Sequence, residues 1–242
     1  MQRLIIKATM VASLFAASTA FASEGAGNAA NGKTIFMNGK GDVPACSSCH
    51  GQDAMGDDAM GTPRLAGQGY TFIVKQLSDF AADKRQDTTM FIMNTNAKGL
   101  TEQDWHDVAA YVSGLDFLSL NSSDMAQVKE LGTAPVGVRY LGKSIAQHGA
   151  PERGVTACHS CHGFNGRGSA PIYPVISGQK YVYLVNQLKK WREGSRTNDP
   201  MGQMRAVAKG MTDEDIYNVA TFLTSAPRTT VGNSRVPGEA HH

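Results

Sequence analysis

Two copies of the pentapeptide C-x-x-C-H are the feature of this sequence that most clearly indicates chemistry. They are Cys46-Ser-Ser-Cys49-His50 and Cys158-His-Ser-Cys161-His162. Two thiols separated by two residues lie one helical turn apart, which lets both sulfurs bond to the vinyl groups of a single haem. The adjacent histidine then offers a ring nitrogen to the iron as an axial ligand. The two pentapeptides therefore predict two covalently bound haem c groups.

A redox-active dithiol and half of a zinc site are the alternative interpretations of each cysteine pair. Neither of them requires a histidine at the fifth place of the motif. Zinc sites of this kind usually combine two cysteine pairs on one metal within a short span of sequence. Here the two pairs are 112 positions apart, and the chain has four cysteines in all. The haem hypothesis is therefore favoured over both alternatives.

The second axial ligand of each iron must come from elsewhere in the same half of the chain. Each half carries Met-x-x-Met at a matching place, with Met90 and Met93 in the first half and Met201 and Met204 in the second. Methionine raises the potential of haem iron relative to a second histidine, and a filled sixth position leaves no place for oxygen or a substrate. Electron transfer is therefore the expected function, and the spacing alone leaves both methionines of each pair open.

Other residues are candidates to support the haem from a greater distance. A ligating histidine normally donates its other ring N–H to a carbonyl group, which orients the ring. We expect that carbonyl near Pro63 in the first half and near Pro174 in the second, with Pro171 as a rival. The candidates to line the haem or to meet its propionates are Tyr70, Tyr181, Trp191, Arg85 and Arg196, and helix packing is the alternative role for each.

The elements that must position these groups are repeated along the chain. An offset of 111 superposes an ordered series that includes Pro63 on Pro174, Gly67-Gln68 on Gly178-Gln179, Gln76 on Gln187, Arg85 on Arg196 and Thr101 on Thr212. A series in this order indicates a tandem duplication. We expect one domain at residues 23–119, a second at residues 120–227, and a disordered tail at residues 228–242.

Each half is predicted to be helical. Apolar residues recur at helical spacing from Tyr70 to Phe80 and again from Tyr181 to Trp191. A capping pattern, T-x-x-D, starts a later helix in each half at residues 101 and 212. A short helix over residues 29–37, matched by one over residues 138–147, precedes each cysteine pair. Strands should be scarce, because no convincing alternation of polar and apolar residues is present, and the predicted fold class is all-α.

The first 22 residues are typical of a secretory signal peptide. Arg3 and Lys7 form a basic start, and an apolar run from Ala8 to Phe21 leads into small residues in an A-x-A arrangement. Cleavage is expected after Ala22, and an uncleaved membrane anchor is the alternative. Export to a bacterial periplasm is therefore predicted. Because that compartment is oxidising, paired cysteines there must serve as disulfides, redox dithiols or cofactor attachments.

Charge and one further motif bear on possible partners. The full chain has 23 Lys and Arg against 21 Asp and Glu, and removal of residues 1–22 leaves 21 of each, so no nucleic-acid signature is present. Residues 27–34 and 137–144 match the phosphate-binding pattern G-x-x-x-x-G-K-[ST] but lack the strand that must precede it. We interpret both matches as the first helix of each repeat, and neither nucleic acid nor nucleotide is an expected partner.

These residues resemble the dihaem cytochromes c4, in which two class I cytochrome c domains are joined in tandem. The resemblance covers both halves and is carried by CSSCHGQDAMG with CHSCHGFNGRG and by KGLTEQDWHDVAAYVSGL with KGMTDEDIYNVATFL. It implies a few helices wrapped around one covalently bound haem in each domain. It also implies that Met93 and Met204 bind the two irons opposite His50 and His162, since the family's methionine lies seven positions before the residue that opens the next capped helix.

The resemblance further implies a carrier that passes electrons from a quinol-oxidising complex to a terminal oxidase or a periplasmic reductase. The two haems would pack with their propionate edges close together, and peripheral association with the membrane is left open. The first-half loop KRQDTTMFIMNTN lacks the Pro-Met-Gly of the second half, so the two potentials are expected to differ. The alternative function is a dihaem oxidoreductase, peroxidase-like or thiosulfate-oxidising, or the electron-accepting subunit of one.

Overall fold

The computed structural model describes residues 26–87, 91–116 and 123–227. The predicted signal peptide, the predicted tail, Met90 and the predicted junction between residues 119 and 120 lie outside them. Within these ranges the chain forms eleven α-helices and four isolated β-bridges and no strand, which confirms the all-α prediction. In the same ranges, no helix is both long and apolar enough to cross a membrane.

The helices of the first half are repeated in the second half. The first five are α1 Ala29–Asn38, α2 Ser47–His50, α3 Tyr70–Ala81, α4 Ile92–Lys98 and α5 Glu102–Ser113. After an additional helix, α6 Met125–Leu131, come α7 Arg139–His148, α8 His159–His162, α9 Tyr181–Glu193, α10 Gln203–Lys209 and α11 Asp213–Thr224. Each half has its own cluster of buried apolar side chains. The repeat in the sequence is therefore a repeat of helices.

Two capping boxes explain where α5 and α11 begin. The hydroxyl group of Thr101 accepts a hydrogen bond from the N–H of Asp104, whose carboxylate accepts one from the N–H of Thr101. Thr212 and Asp215 form the same pair of bonds at the start of α11. Each box satisfies two N–H groups that a helix terminus otherwise leaves without a partner.

Helices α1 and α5, and their counterparts α7 and α11, cross at a glycine. A Cβ atom added to Gly32 of α1 would lie 1.9 Å from the carbonyl oxygen of Asp107 in α5, and one added to Gly142 of α7 would lie 1.8 Å from that of Asn218 in α11. Only a residue without a side chain allows the two backbones to approach this closely. The two matches to the phosphate-binding pattern therefore reflect helix packing in α1 and α7, which confirms their interpretation as the first helix of each repeat.

Arg64 joins the two halves from the loop before α3. Its side chain is fully buried and donates hydrogen bonds to the carbonyl oxygens of Ser177 at 2.9 Å and Gly178 at 2.8 Å, and to that of Ala66 in its own half. The side chain of Gln179 in turn binds the main chain of Arg64. It accepts from the N–H of Arg64 at 2.7 Å and donates to its carbonyl oxygen at 3.0 Å.

Gln68 makes the reciprocal contact from the first half. Its side chain accepts from the N–H of Val175 at 2.8 Å and donates to the carbonyl oxygen of Val175 at 2.9 Å. Gln68 and Gln179 are equivalent in the repeat, as are Arg64 and Val175. The two glutamines therefore clamp equivalent segments of the opposite half, as expected for halves that exchange by an approximate two-fold rotation.

Replacement of Gly32 by alanine should destabilise the first half. Alanine is favoured over glycine in a helix interior by about 1 kcal/mol, but here its methyl group would press on the Asp107 carbonyl group, and overpacking of this kind costs about 1–3 kcal/mol. The thermal unfolding midpoint of the holoprotein, measured by circular dichroism, should therefore fall. Gly114→Ala is the control, because the nearest atom to its added Cβ is 3.4 Å away. An unchanged midpoint in Gly32→Ala would contradict the close crossing of α1 and α5.

Candidate haem-binding sites

The cysteines of each pair lie on one helical turn. Cys46 and Cys158 are the N-terminal caps of α2 and α8, and their carbonyl oxygens accept from the N–H of His50 at 3.0 Å and of His162 at 2.9 Å. None of the four cysteines forms a disulfide. Burial raises the pKa of Cys46 and of Cys158 to about 11, so neither thiol is the activated thiolate of a redox-active dithiol. In the ranges that the structure describes, no three His, Cys, Asp or Glu side chains gather as a metal site.

The two histidines of the motifs are buried and oriented in the same way. Nδ1 of His50 lies 3.0 Å from the carbonyl oxygen of Pro63, and Nδ1 of His162 lies 2.8 Å from that of Pro174. A carbonyl oxygen only accepts, so each Nδ1 carries the proton and each Nε2 keeps the lone pair that binds a metal. Burial lowers the pKa of both rings, against the opposing effect of the proline carbonyl groups. Both histidines are therefore neutral at neutral pH and able to bind iron.

The structure also decides between the two candidate prolines of the second half. The carbonyl group of Pro174 contacts His162. The carbonyl oxygen of Pro171 instead accepts a hydrogen bond from the hydroxyl group of Thr71 in the first half. Pro171 therefore belongs to the contact between the halves.

The methionines of each Met-x-x-Met differ in their surroundings. Met93 is the second residue of α4 and Met204 is the second residue of α10, and both side chains are half-buried. Met201 is 90% exposed and has a φ of 55° in the 3₁₀ turn that precedes α10. Met90 lies outside the described residues. In the second half, the burial of the side chains favours Met204 over Met201 as a candidate ligand.

Two buried arginines at equivalent positions meet between the halves. Arg85 and Arg196 each donate to the side-chain oxygens of both Gln76 and Gln187, at distances between 2.7 and 3.2 Å. Arg85 also donates to the hydroxyl group of Tyr183 at 2.9 Å. Burial, followed by the positive charge of Arg85, lowers the pKa of Arg196 to about 9. An anion near these two cations, such as a haem carboxylate, would offset their mutual repulsion.

The aromatic candidates have contacts of their own in the helix packing. The hydroxyl group of Tyr70 lies 2.6 Å from Nδ1 of His106, and that of Tyr181 donates to a main-chain carbonyl group before α7. The ring of Trp191 lies 4.2 Å from the guanidinium carbon of Arg196. These contacts position α3 and α9, which is the alternative role that the sequence left open for these residues.

Arg64 is the important residue that sequence reasoning missed. Its counterpart in the repeat is Val175, so the comparison of the halves did not single it out. The repeated glutamines, Gln68 and Gln179, carried the only available signal, and their role became visible only with both halves in place.

The residues present in each half fit one haem c group. Two thiols on one turn can form both thioether bonds, and a neutral histidine beside them has Nε2 available for iron. A half-buried methionine follows at an equivalent place in both halves. Arg85 and Arg196 place buried positive charge between the halves, which would favour a haem carboxylate nearby.

Known proteins with similar sequences and structures point to the same cofactor. The Cytochrome c family model matches residues 29–116 and 148–227. The thiosulfate dehydrogenase electron acceptor of Stutzerimonas stutzeri (strain A1501) is 35% identical over 209 residues, which are 84% of this chain and 90% of that protein.

Two solved structures resemble the fold. Reduced recombinant cytochrome c4 from Pseudomonas stutzeri superposes with a TM-score of 0.65 and 29% identity over 83% of this chain and 100% of that chain. Thiosulfate dehydrogenase (TsdBA) from Marichromatium purpuratum superposes with a TM-score of 0.72 and 32% identity over 82% of this chain, which spans 40% of that longer chain.

Covalent haem c is the cofactor of the matched family, and the two C-x-x-C-H turns provide for two of them. The matched regions lie one in each half, and the cytochrome c4 structure is covered from end to end. The chain therefore belongs to the cytochrome c family and, with two such domains in tandem, to the dihaem cytochromes c4.

Proposed function

We propose that this protein carries electrons one at a time between redox complexes of the periplasm. In this proposal His50 and Met93 bind one haem iron, and His162 and Met204 bind the other. The cysteine pairs Cys46 with Cys49 and Cys158 with Cys161 attach the two haems.

One arrangement, present in both halves, supports the proposal. A buried neutral histidine is combined with a half-buried methionine at the second position of a later helix. A histidine and a methionine that both bound one haem iron would leave no coordination site for a substrate. This favours the transfer of electrons over chemistry on a bound molecule.

When bound, each haem supplies a one-electron couple between iron(II) and iron(III). The side chains and main chain of the protein hold that couple in place and adjust it. The carbonyl oxygens of Pro63 and Pro174 hold the imidazole rings and increase their electron donation to a metal. Arg85 and Arg196 place positive charge where the halves meet.

The partners and the location are also part of the proposal. A quinol-oxidising complex is the proposed donor and a terminal oxidase or periplasmic reductase the proposed acceptor. Residues 1–22 would direct export to the periplasm, and thioether attachment in both halves suits an exported c-type cytochrome.

A second candidate function is that of the electron-accepting subunit of a thiosulfate-oxidising enzyme. The 35% identity to a protein named as such an acceptor favours it. The two candidates share the same closed haems and differ in the donor. If the protein is such an acceptor, thiosulfate dehydrogenase with thiosulfate should reduce it rapidly. If it is a carrier from a quinol-oxidising complex, that mixture should reduce it no faster than thiosulfate alone.

Met93→Ala and Met204→Ala should each abolish the methionine-to-iron charge-transfer band of one haem. Since each haem contributes one such band, about half of the absorbance should disappear in either variant. Visible spectroscopy of the oxidised holoprotein measures the loss. Met201→Ala is the matched control, because its exposed side chain lies outside the proposed site, and it should retain the full band. Loss of band in Met201→Ala, with Met204→Ala unaffected, would transfer the assignment to Met201.

The reduced holoprotein should not bind carbon monoxide rapidly at either iron. Both sixth positions are expected to be filled, so the ligand must wait for methionine to dissociate. Stopped-flow mixing with carbon monoxide measures the rate, and Met93→Ala should create one fast-binding site as a positive control. Fast binding by the unmodified protein would contradict the closed-haem carrier and favour a dihaem oxidoreductase.

A further inference from the structure

Charge is divided unevenly between the two halves of this nearly neutral chain. Residues 23–119 contain seven Lys and Arg against twelve Asp and Glu. Residues 120–227 contain twelve Lys and Arg against eight Asp and Glu. The overall balance therefore conceals an acidic first half and a basic second half.

Part of the difference lies around the haem-attachment turns. Helices α1 and α7 have the same length, and the N–H of Gly56 and of Gly168 each donates to the carbonyl oxygen of the preceding ligand histidine, so the positions can be paired by structure. Four pairs change toward positive charge in the second half, and two others gain a histidine there. The four are Ala29 and Arg139, Asp53 and Asn165, Met55 and Arg167, and Asp57 and Ser169, and the two are Asn38 and His148, and Ser47 and His159.

The basic members of these pairs lie together beside the second attachment turn. The ring of Phe222 is 5.4 Å from the guanidinium carbon of Arg139 and 6.5 Å from the ring of His159. Burial and then the nearby His148 and Lys143 lower the pKa of His159. The stem of Arg167 lies 3.5 Å from the position of an added Cβ on Gly163, the residue after the ligand histidine. We call Arg139, Lys143 and Arg167 the cationic face.

The charges of the cationic face are directed at solvent. All three of its side chains are exposed. Among the described residues, no carboxylate forms an ion pair with any of the three, whereas Arg153, Arg192 and Arg205 elsewhere in the same half are each paired with an aspartate. Exposed charge that is not neutralised within the protein is available to attract an oppositely charged surface.

We propose that the cationic face docks an acidic surface of one redox partner protein. The first half carries the exposed Asp53 and Asp57 at the equivalent place, so the same partner is repelled there and electrons enter and leave through different halves. The inference rests on the proposed carrier function. A protein partner is favoured over an anionic membrane because the face lies beside the turn that attaches the cofactor, which an electron-transfer partner must approach.

Oxidation of the reduced holoprotein by reagents of opposite charge tests the inference. Hexacyanoferrate(III), an anion, and tris(phenanthroline)cobalt(III), a cation, each accept one electron from an iron(II) centre. The cationic face attracts the anion and the acidic first half attracts the cation. Both reactions should therefore slow as salt is added, although the protein as a whole is nearly neutral. Arg139→Ala combined with Arg167→Met should lower the hexacyanoferrate rate constant by about three- to tenfold at low ionic strength and leave the cobalt reaction unchanged or faster.

Lys189→Gln combined with Arg192→Gln is the matched control. It removes two charges from the same half, where both side chains approach Asp213 at the start of α11, whereas Arg139 bonds to Ser225 beyond the end of α11. It should change the hexacyanoferrate rate by less than about twofold. Equal effects of the two double variants, or no effect of either, would overturn the docking inference.

Two other outcomes separate the docking inference from its alternatives. Sedimentation with phosphatidylglycerol vesicles that is lost in Arg139→Ala/Arg167→Met, with hexacyanoferrate rates unchanged, would overturn the inference and assign the face to a lipid surface. If the unmodified protein exchanges no electrons with either reagent, the proposed carrier function itself fails.

A second inference comes from the reciprocal glutamine clamps. Arg64 directly follows Pro63, whose carbonyl group orients His50, and its main chain is held by Gln179 of the other half. Val175 directly follows Pro174, whose carbonyl group orients His162, and is held by Gln68. We infer that Gln68 and Gln179 are positioning residues, each for the iron ligand of the opposite half.

Gln68→Met should raise the reduction potential of the second-half haem. The carbonyl group of Pro174 would be held less firmly, so its hydrogen bond from Nδ1 of His162 would weaken. A weaker hydrogen bond makes the imidazole ring a poorer electron donor to the iron. Gln179→Met should raise the potential of the first-half haem. Spectroelectrochemical titration gives both potentials. NMR then assigns them, because Met93→Ala should lose the methionine signals of the first-half haem and Met204→Ala those of the second-half haem.

Gln86→Met is the control for these substitutions. Gln86 is exposed, and among the described residues its side chain bonds to the carbonyl oxygen of Asp83 in its own turn. Neither potential should change in this variant. The crossed arrangement would be contradicted if a glutamine variant shifted the potential of the haem in its own half, or shifted both potentials equally. If one of the two glutamine variants does not fold, the other still tests the crossed arrangement.

Discussion

The hydrogen bond between Nδ1 of each motif histidine and a proline carbonyl oxygen is the contact on which the rest of the structure depends. Each histidine lies on a helix of four residues, which is too short to be stable by itself. Its ring is held instead by the loop that carries Pro63 or Pro174. The contact assigns the proton to Nδ1 and leaves Nε2 for iron, so the chemistry of the site depends on the placement of a loop.

Each of those loops is supported from two directions. Within its own half, the crossing of α1 with α5, or of α7 with α11, provides the rigid frame, and Gly32 and Gly142 permit that crossing. From the other half, Gln179 and Gln68 bind the residue that follows each proline. The interface between the halves therefore forms part of each site as well as joining them.

Duplication provided two similar sites, and later differences gave them separate surroundings. The ligand geometry is preserved in both halves, because the histidine contacts have nearly equal lengths. The exposed residues around the attachment turns have diverged in charge, as the exchange of Met55 for Arg167 illustrates. The shared chemistry is therefore buried, where packing restricts change, and the differences are at the surface, where substitutions cost little stability.

The sequence by itself determined the cofactor, the repeat and three helices of each half. All three are encoded locally, in five-residue motifs, in apolar periods and in capping boxes such as that of Thr101 and Asp104. Only the tertiary structure decided that Pro174 rather than Pro171 contacts His162, that Met201 is directed at solvent, and that Arg64 links the halves. These features depend on loop conformation and on contacts between residues more than a hundred positions apart, for which neither propensity nor periodicity carries a signal.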